Sequence, residues 1–165
     1  MYDDTDGQYV IKSADGNPQN DYTCRNEDKK HAYGETDLEK AFTLSSNVYY
    51  AHLSTKIKTG KLQKTAHDFM FNRKIDFDLP VKTSTFQTGN MTDAEKIMSS
   101  IGQGKTEATP LHMALIAATI ANDGVMPQPH LISEIKSGSI TVKKSSESNI
   151  GRIIPSATAK QIKEY

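Results

Sequence analysis

Ser45-Ser46-Asn47 places two hydroxyls and an amide side by side between two stretches of helical pattern. A hydroxyl donates and accepts, and an amide presents both functions in one plane, so such a turn can hold a polar ligand. It can equally do nothing more than cap the helix that follows. Acyl transfer by a serine needs more: a nucleophile, a base for its proton, and backbone donors for the tetrahedral oxyanion. Ser133-Glu134-Ile135-Lys136 spells Ser-x-x-Lys. It falls in an alternating, strand-like run, where the serine and lysine point to opposite faces instead of meeting one helical turn apart. His31, His52, His67, His112 and His130 show no H-E-x-x-H or paired spacing, so no metal is implied. His112 reads as a core side chain, Met91, Met98, Met113 and Met126 as packing, and Cys24 as an incidental thiol. Tyr49 and Tyr50 face different directions on a helix, so at most one of them lines a cleft.

The Ser-Ser-Asn turn must be positioned by its flanking helices. Thr36 and Glu39 fit a capping box for a helix from Asp37 to Leu44, with Leu38, Ala41 and Phe42 inward. Val48 to Lys56 resumes the helical pattern, and Leu62, Ala66 and Phe69 space another helix over Lys61 to Phe71, closed by Asn72. Residues 73–90 read as an extended excursion in which Ile75, Phe77 and Leu79 alternate before Pro80. Thr92 and Glu95 form a second capping box, for a helix to about Ser99. Thr109-Pro110 caps and opens a further helix to Ala121, apolar round nearly its whole circumference and therefore expected to be buried on most sides, with Gly124 as its left-handed cap. A hairpin is expected about Ser137-Gly138, and Ser156 caps a last helix over Ala157 to Tyr165.

The expected fold is mainly α with a small β-hairpin. It divides into a polar irregular segment (1–34) with one or two weak strands, a helical core (35–126), the hairpin (127–145), and a loop with a truncated helix (146–165). The 165 residues suit one domain able to bury a core. Twenty basic and twenty acidic residues give no net charge, and nothing in that balance argues for nucleic acid or an anionic membrane surface as partner. No apolar run reaches the roughly twenty residues of a membrane helix. There is no signal peptide behind Met1, and the one cysteine has no internal disulfide partner.

The order IGQG (101–104), TPLHMALIAATIANDGVM (109–126) and PHLI (129–132) resembles penicillin-binding transpeptidase domains, and LEKAFTLSSNVYYAHL (38–53) is similar to their helix, S-x-N turn and next helix. The resemblance implies that Ser45 relays a proton near the nucleophile and that Asn47 donates to the substrate's amide carbonyl, with Ser46 and Asn47 against substrate. Lys58-Thr59-Gly60 spells K-T-G but falls between two predicted helices, where Gly60 reads as a helix-ending cap, whereas the family's K-T-G lies on a strand far downstream. The chain is thus expected to be the incomplete helical portion of the penicillin-binding and β-lactamase-like fold, with S-x-x-K before Met1 and K-T-G after Tyr165, and inactive alone. The intact parent would be an extracytoplasmic, membrane-anchored D,D-transpeptidase acting on peptidoglycan stem peptides and acylated by β-lactams. No cofactor or metal is implied. Self-association through exposed core is a further expectation, and the alternative is a non-catalytic binding module on the same scaffold.

Overall fold

The computed structural model describes residues 1–27 and 31–165; of the charged run Glu27 to Lys30, expected at the surface, Glu27 is exposed and the rest lies outside the described residues. Two compact units share the chain, one of residues 1–65, 86–107 and Tyr165, the other of 66–85 and 108–164.

In the first unit, strand β1 (Tyr2–Asp4) pairs antiparallel with β4 (Gly34–Thr36), and β2 (Gln8–Ile11) with β3 (Tyr22–Arg25). Four strands thus occupy a region expected to be mostly irregular. With three or four residues each, they are too short for a period of two to show.

Helix α1 (Leu38–Thr43) is capped by Asp37, whose carboxylate accepts the Lys40 N–H at 2.9 Å, and not by Thr36. Thr36 is held in β4 opposite Tyr2 and its hydroxyl donates to the Gly34 carbonyl, so the predicted box cannot close. Of the three residues expected inward, only Ala41 is buried; Leu38 and Phe42 are 41% and 49% exposed.

Helix α2 (Asn47–Lys56) buries Val48, Ala51 and Ser54 and packs on β1, β2, β3 and helix α4 (Asp93–Ser100). Cys24, Ala51 and Ile97 meet there, with Tyr9, Ile11, Tyr22 and Ile101 around them. The α4 capping box is as expected: Thr92 Oγ1 accepts the Glu95 N–H while the Glu95 carboxylate accepts the Thr92 N–H. Helix α3 (Thr59–Asp68) starts two residues earlier than expected. Gly60 is therefore its second residue and no terminal cap, and the Lys58 carbonyl accepts the first helical N–H groups, from Lys61 and Leu62.

The second unit is built on helix α5 (Pro110–Ala121), capped by Thr109 as predicted. His112, Leu115 and Thr119 are buried, but Met113, Ala114, Ala117 and Ala121 are exposed. One face is covered, not most of the circumference: all-round apolar composition made the helix coverable without saying which elements cover it. Leu115 joins Met70, Ile75 and Met126 in a core flanked by Phe69, Leu111, Ile150 and Ile153.

The helix ends with Asp123 in the left-handed region (φ +49°) and the Gly124 N–H returning to the Thr119 carbonyl at 2.8 Å, so Asp123 holds the capping position predicted for Gly124. Gly124 answers a different demand. Its φ is +86°, and a Cβ there would lie 2.2 Å from the Ile154 carbonyl oxygen. Strand β5 (Val125–Pro127) pairs with β8 (Asn149–Arg152), a pairing the sequence did not announce. The predicted hairpin is β6 (Glu134–Ser137) and β7 (Ile140–Lys144). Helix α6 (Ser156–Glu164) packs on α5 through the buried Ala159.

No strand forms from Ile75 to Leu79. Side chains take that segment's polar groups instead: the Asp76 carbonyl accepts Gln128 Nε2, and the Asp78 carboxylate accepts the Leu131 and Ile132 N–H groups.

Candidate active site

Ser45 follows α1 at φ +52°, a conformation that L-residues other than Asn and Asp seldom take. The Ser46 N–H bonds the Ala41 carbonyl at 2.9 Å and the Ser45 N–H bonds that of Phe42 at 3.2 Å. These two bonds make a Schellman ending, with Ser45 at the position usually occupied by glycine. The side chain at that position is exposed.

Ser46 turns the other way. It is fully buried, caps α2 by accepting the Tyr49 N–H at 3.1 Å, and donates to Asn26 Oδ1 at 3.3 Å. Both hydroxyl functions of Ser46, the residue expected against substrate, are committed inside the protein. Asn47 opens α2 half-buried, and its Nδ2 donates to the Arg25 carbonyl at 3.1 Å. A side-chain amide has two N–H groups, so this contact leaves one for a ligand carbonyl.

Behind the turn lies a group of residues that spacing gave no reason to connect. Cys24 Sγ donates to the Asn47 carbonyl at 3.7 Å, and the Val48 N–H donates to Asn26 Oδ1 at 3.2 Å. Asn26 Nδ2 in turn donates to Asp4 Oδ2 at 2.8 Å and to the His31 carbonyl at 3.1 Å. Asp4, 1% exposed, also accepts the N–H groups of Gly7 at 2.8 Å and Tyr33 at 3.2 Å. Cys24 is thus part of the structure behind the turn and no incidental thiol. Burial pushes its pKa up, which keeps it a protonated, unreactive thiol.

On α2, His52 stacks on Tyr2 with ring centroids 4.4 Å apart. Burial, then Lys56, lowers its pKa and favours the neutral ring. Tyr49 and Tyr50 are both half-buried and meet edge to face.

The remaining motifs fall as follows. Lys58-Thr59-Gly60 opens a helix and lies on no strand. Ser133 precedes β6, its carbonyl accepting the Ser145 N–H, while Lys136 pairs with Glu134 at 2.9 Å; Ser133 and Lys136 share no helix. The IGQG turn closes α4 with Gly102 and Gly104 at φ +74° and +71°, and the Gln103 N–H returns to the Met98 carbonyl. His112 is buried with Nε2 2.6 Å from the Phe69 carbonyl and its ring against Phe71, as befits a core side chain. Among the described residues no group of His, Cys, Asp and Glu could hold a metal ion, and no helix is long and apolar enough to cross a membrane.

The family model for the penicillin binding protein transpeptidase domain matches residues 5–165. The peptidoglycan D,D-transpeptidase PbpA of Mycolicibacterium smegmatis is 37% identical over 100 residues, covering 60% of this chain and 20% of that protein. The crystal structure of PBPA from Mycobacterium tuberculosis superposes with a TM-score of 0.85 at 25% identity, covering 96% of this chain and 36% of that one. The same protein as an imipenem acyl-enzyme complex also gives 0.85, at 24% identity over 98% of this chain and 37% of the other. The matches span about a fifth of the length of the curated relatives. With a family match over nearly its whole length, the chain belongs to the penicillin-binding protein transpeptidase family.

Proposed function

We propose that this chain is the middle segment of a D,D-transpeptidase that cross-links peptidoglycan outside the bacterial cytoplasmic membrane. One observation carries the reading to this site: Ser45 holds an exposed hydroxyl at a strained position where glycine would be easier, beside an Asn47 whose amide is fixed by the Arg25 carbonyl. Strain of that kind is kept where the side chain has work to do.

In this reading a serine supplied outside residues 1–165 attacks the penultimate D-Ala carbonyl of a stem peptide. The new C–O bond forms, the peptide C–N bond breaks, and terminal D-Ala leaves with a proton on its amine. An acceptor amine then displaces the serine oxygen. Ser45 passes the proton between nucleophile and leaving group, and Asn47 donates its remaining N–H to the substrate amide carbonyl. A β-lactam ring opened by the same serine gives a stable acyl-enzyme; the imipenem complex of the M. tuberculosis relative supports this for the parent. The donor set in this site calls for no metal or cofactor.

Residues 1–165 alone form no such adduct, because the one Ser-x-x-Lys in the sequence, Ser133 to Lys136, leads into a strand. Incubation with labelled penicillin and intact-mass measurement tests both halves. The full-length protein gains one penicillin mass and residues 1–165 gain none. An adduct on Ser45 or Ser133 in the short chain overturns the assignment, and no adduct on the full-length protein supports a binding module instead.

A further inference from the structure

The Ser45-Ser46-Asn47 turn hangs from one short piece of chain. Three consecutive residues, Cys24, Arg25 and Asn26, bond three consecutive residues, Ser46, Asn47 and Val48, from 20 to 23 positions away. Cys24 Sγ and the Arg25 carbonyl hold Asn47 at its backbone carbonyl and its side-chain amide, while Asn26 Oδ1 takes the Ser46 hydroxyl and the Val48 N–H. Asp4 stands behind Asn26.

We propose that Asp4 and Asn26 are positioning residues for acyl transfer: a buried carboxylate–amide pair that sets Ser46 and, through it, the left-handed Ser45 and the aim of the Asn47 amide. The proposal rests on the function proposed above.

Asp4 meets donors at both oxygens: Oδ1 accepts from Gly7, and Oδ2 from Tyr33 and Asn26. It therefore dictates that Asn26 turns its NH₂ toward β1 and its oxygen toward α2. With the amide reversed, an NH₂ would face the Val48 N–H and an oxygen would face the Asp4 carboxylate, both repulsive. Only one orientation satisfies all groups. That orientation makes the Ser46 hydroxyl a donor to Asn26, which leaves its lone pair to cap Tyr49. Asp4, Asn26 and Ser46 are all at most 2% exposed, so water cannot replace a lost partner. The backbone bonds to Ala41 and Phe42 keep Ser45 at φ +52° while the buried Ser46 anchors the turn; with Ser46 released, they alone oppose its preference for the right-handed region.

A merely structural role predicts lost stability with normal chemistry in the folded fraction. A positioning role predicts slower chemistry in protein that is fully folded. The test measures the second-order rate of acylation by labelled penicillin in the full-length protein, well below each variant's unfolding midpoint. Ser45→Ala and Asn47→Ala serve as benchmarks, and Ile97→Val, in the same core but outside the network, is the control for lost stability alone.

Asp4→Asn and Asn26→Asp should slow acylation about 10- to 100-fold, the scale on which a misplaced catalytic group acts. Ile97→Val should lose stability at an unchanged rate. In the variants the ¹³Cα and ¹³Cβ shifts of Ser45 should leave their left-handed values. If Asp4→Asn or Asn26→Asp does not fold, Ser46→Ala, which removes one link, takes its place with the same expectation.

Folded network variants that acylate at the wild-type rate, beside benchmarks that do not, overturn the positioning proposal and leave the proposed function standing. Benchmarks at the wild-type rate remove the function assigned to Ser45 and Asn47, and the positioning proposal with it.

Discussion

Replacing Ser45 by glycine should make this protein more stable while impairing the chemistry proposed for it. At φ +52° an L-residue carries roughly 1–2 kcal/mol of strain that glycine does not. Glycine gives back about 0.5–1 kcal/mol through the greater freedom of its unfolded chain. The net gain is on the order of 0.5–1 kcal/mol, as the two Schellman bonds at Ala41 and Phe42 are backbone bonds that the substitution leaves in place. Alanine at the same position keeps the strain and loses the hydroxyl, so it should match the wild type in stability or fall slightly below it. Urea denaturation followed by far-ultraviolet circular dichroism resolves the three proteins in one series. Acylation of the full-length protein by penicillin should slow in both variants alike, which separates the hydroxyl's contribution from the backbone's. A glycine variant less stable than both the alanine variant and the wild type would refute the reasoning, since it would mean that Ser45 is not strained or that its side chain holds the turn together.

Gly124→Ala should cost about 3–5 kcal/mol, combining left-handed strain with a Cβ driven against the Ile154 carbonyl and loss of the Ile153 N–H bond to Gly124. Gly138→Ala, at φ +60° with open space around it, should cost only the strain of about 1–2 kcal/mol, and equal midpoints for the two variants would contradict the close approach. The Thr92 N–H, then Gln87 and Lys105, hold the Glu95 carboxyl at about 2, below its ordinary value near 4.5. Its contribution is therefore present above the unfolded value and lost as pH falls from about 4.5 toward 2; amide exchange in α4 should accelerate across that window, and Glu95→Gln should flatten the response. Ser46→Ala removes the α2 cap and leaves Asn26 Oδ1 with one donor fewer, which should cost about 1–2 kcal/mol by urea denaturation. Ile140 and Val142 of β7, 71% and 65% exposed, should drive concentration-dependent association, seen by sedimentation and reduced by replacing both with threonine.

What could be read from the chain was what a few neighbouring residues decide among themselves. Thr92 with Glu95, and Thr109 with Pro110, carry their hydrogen-bond partners within one turn, so α4 and α5 begin where those residues say. Thr36 failed as a cap because strand pairing with Tyr2, thirty-four residues earlier, claimed it first. The β5–β8 ladder escaped for the same reason, since its edges meet only after the whole hairpin has been traversed. Ser45 and Asn47 stood out as polar residues at a helical junction, but nothing local reveals that Ser46 is buried between them. Nor does anything announce Asn26, whose partners Asp4 and Ser46 lie 22 positions before it and 20 after it.

The interleaving of the two units has a consequence for how the protein can be made. Helix α2 finds its main helical neighbour, α4, only after the chain has laid down 66–85, which belong to the other unit. On a ribosome, the buried face of α2 emerges well before Ile97 exists to cover Ala51, and that delay lengthens the time in which apolar surface is open to wrong partners. A polypeptide stopped at residue 85 would hold neither unit whole, so a shortened version that keeps the Ser-Ser-Asn turn must run through residue 107.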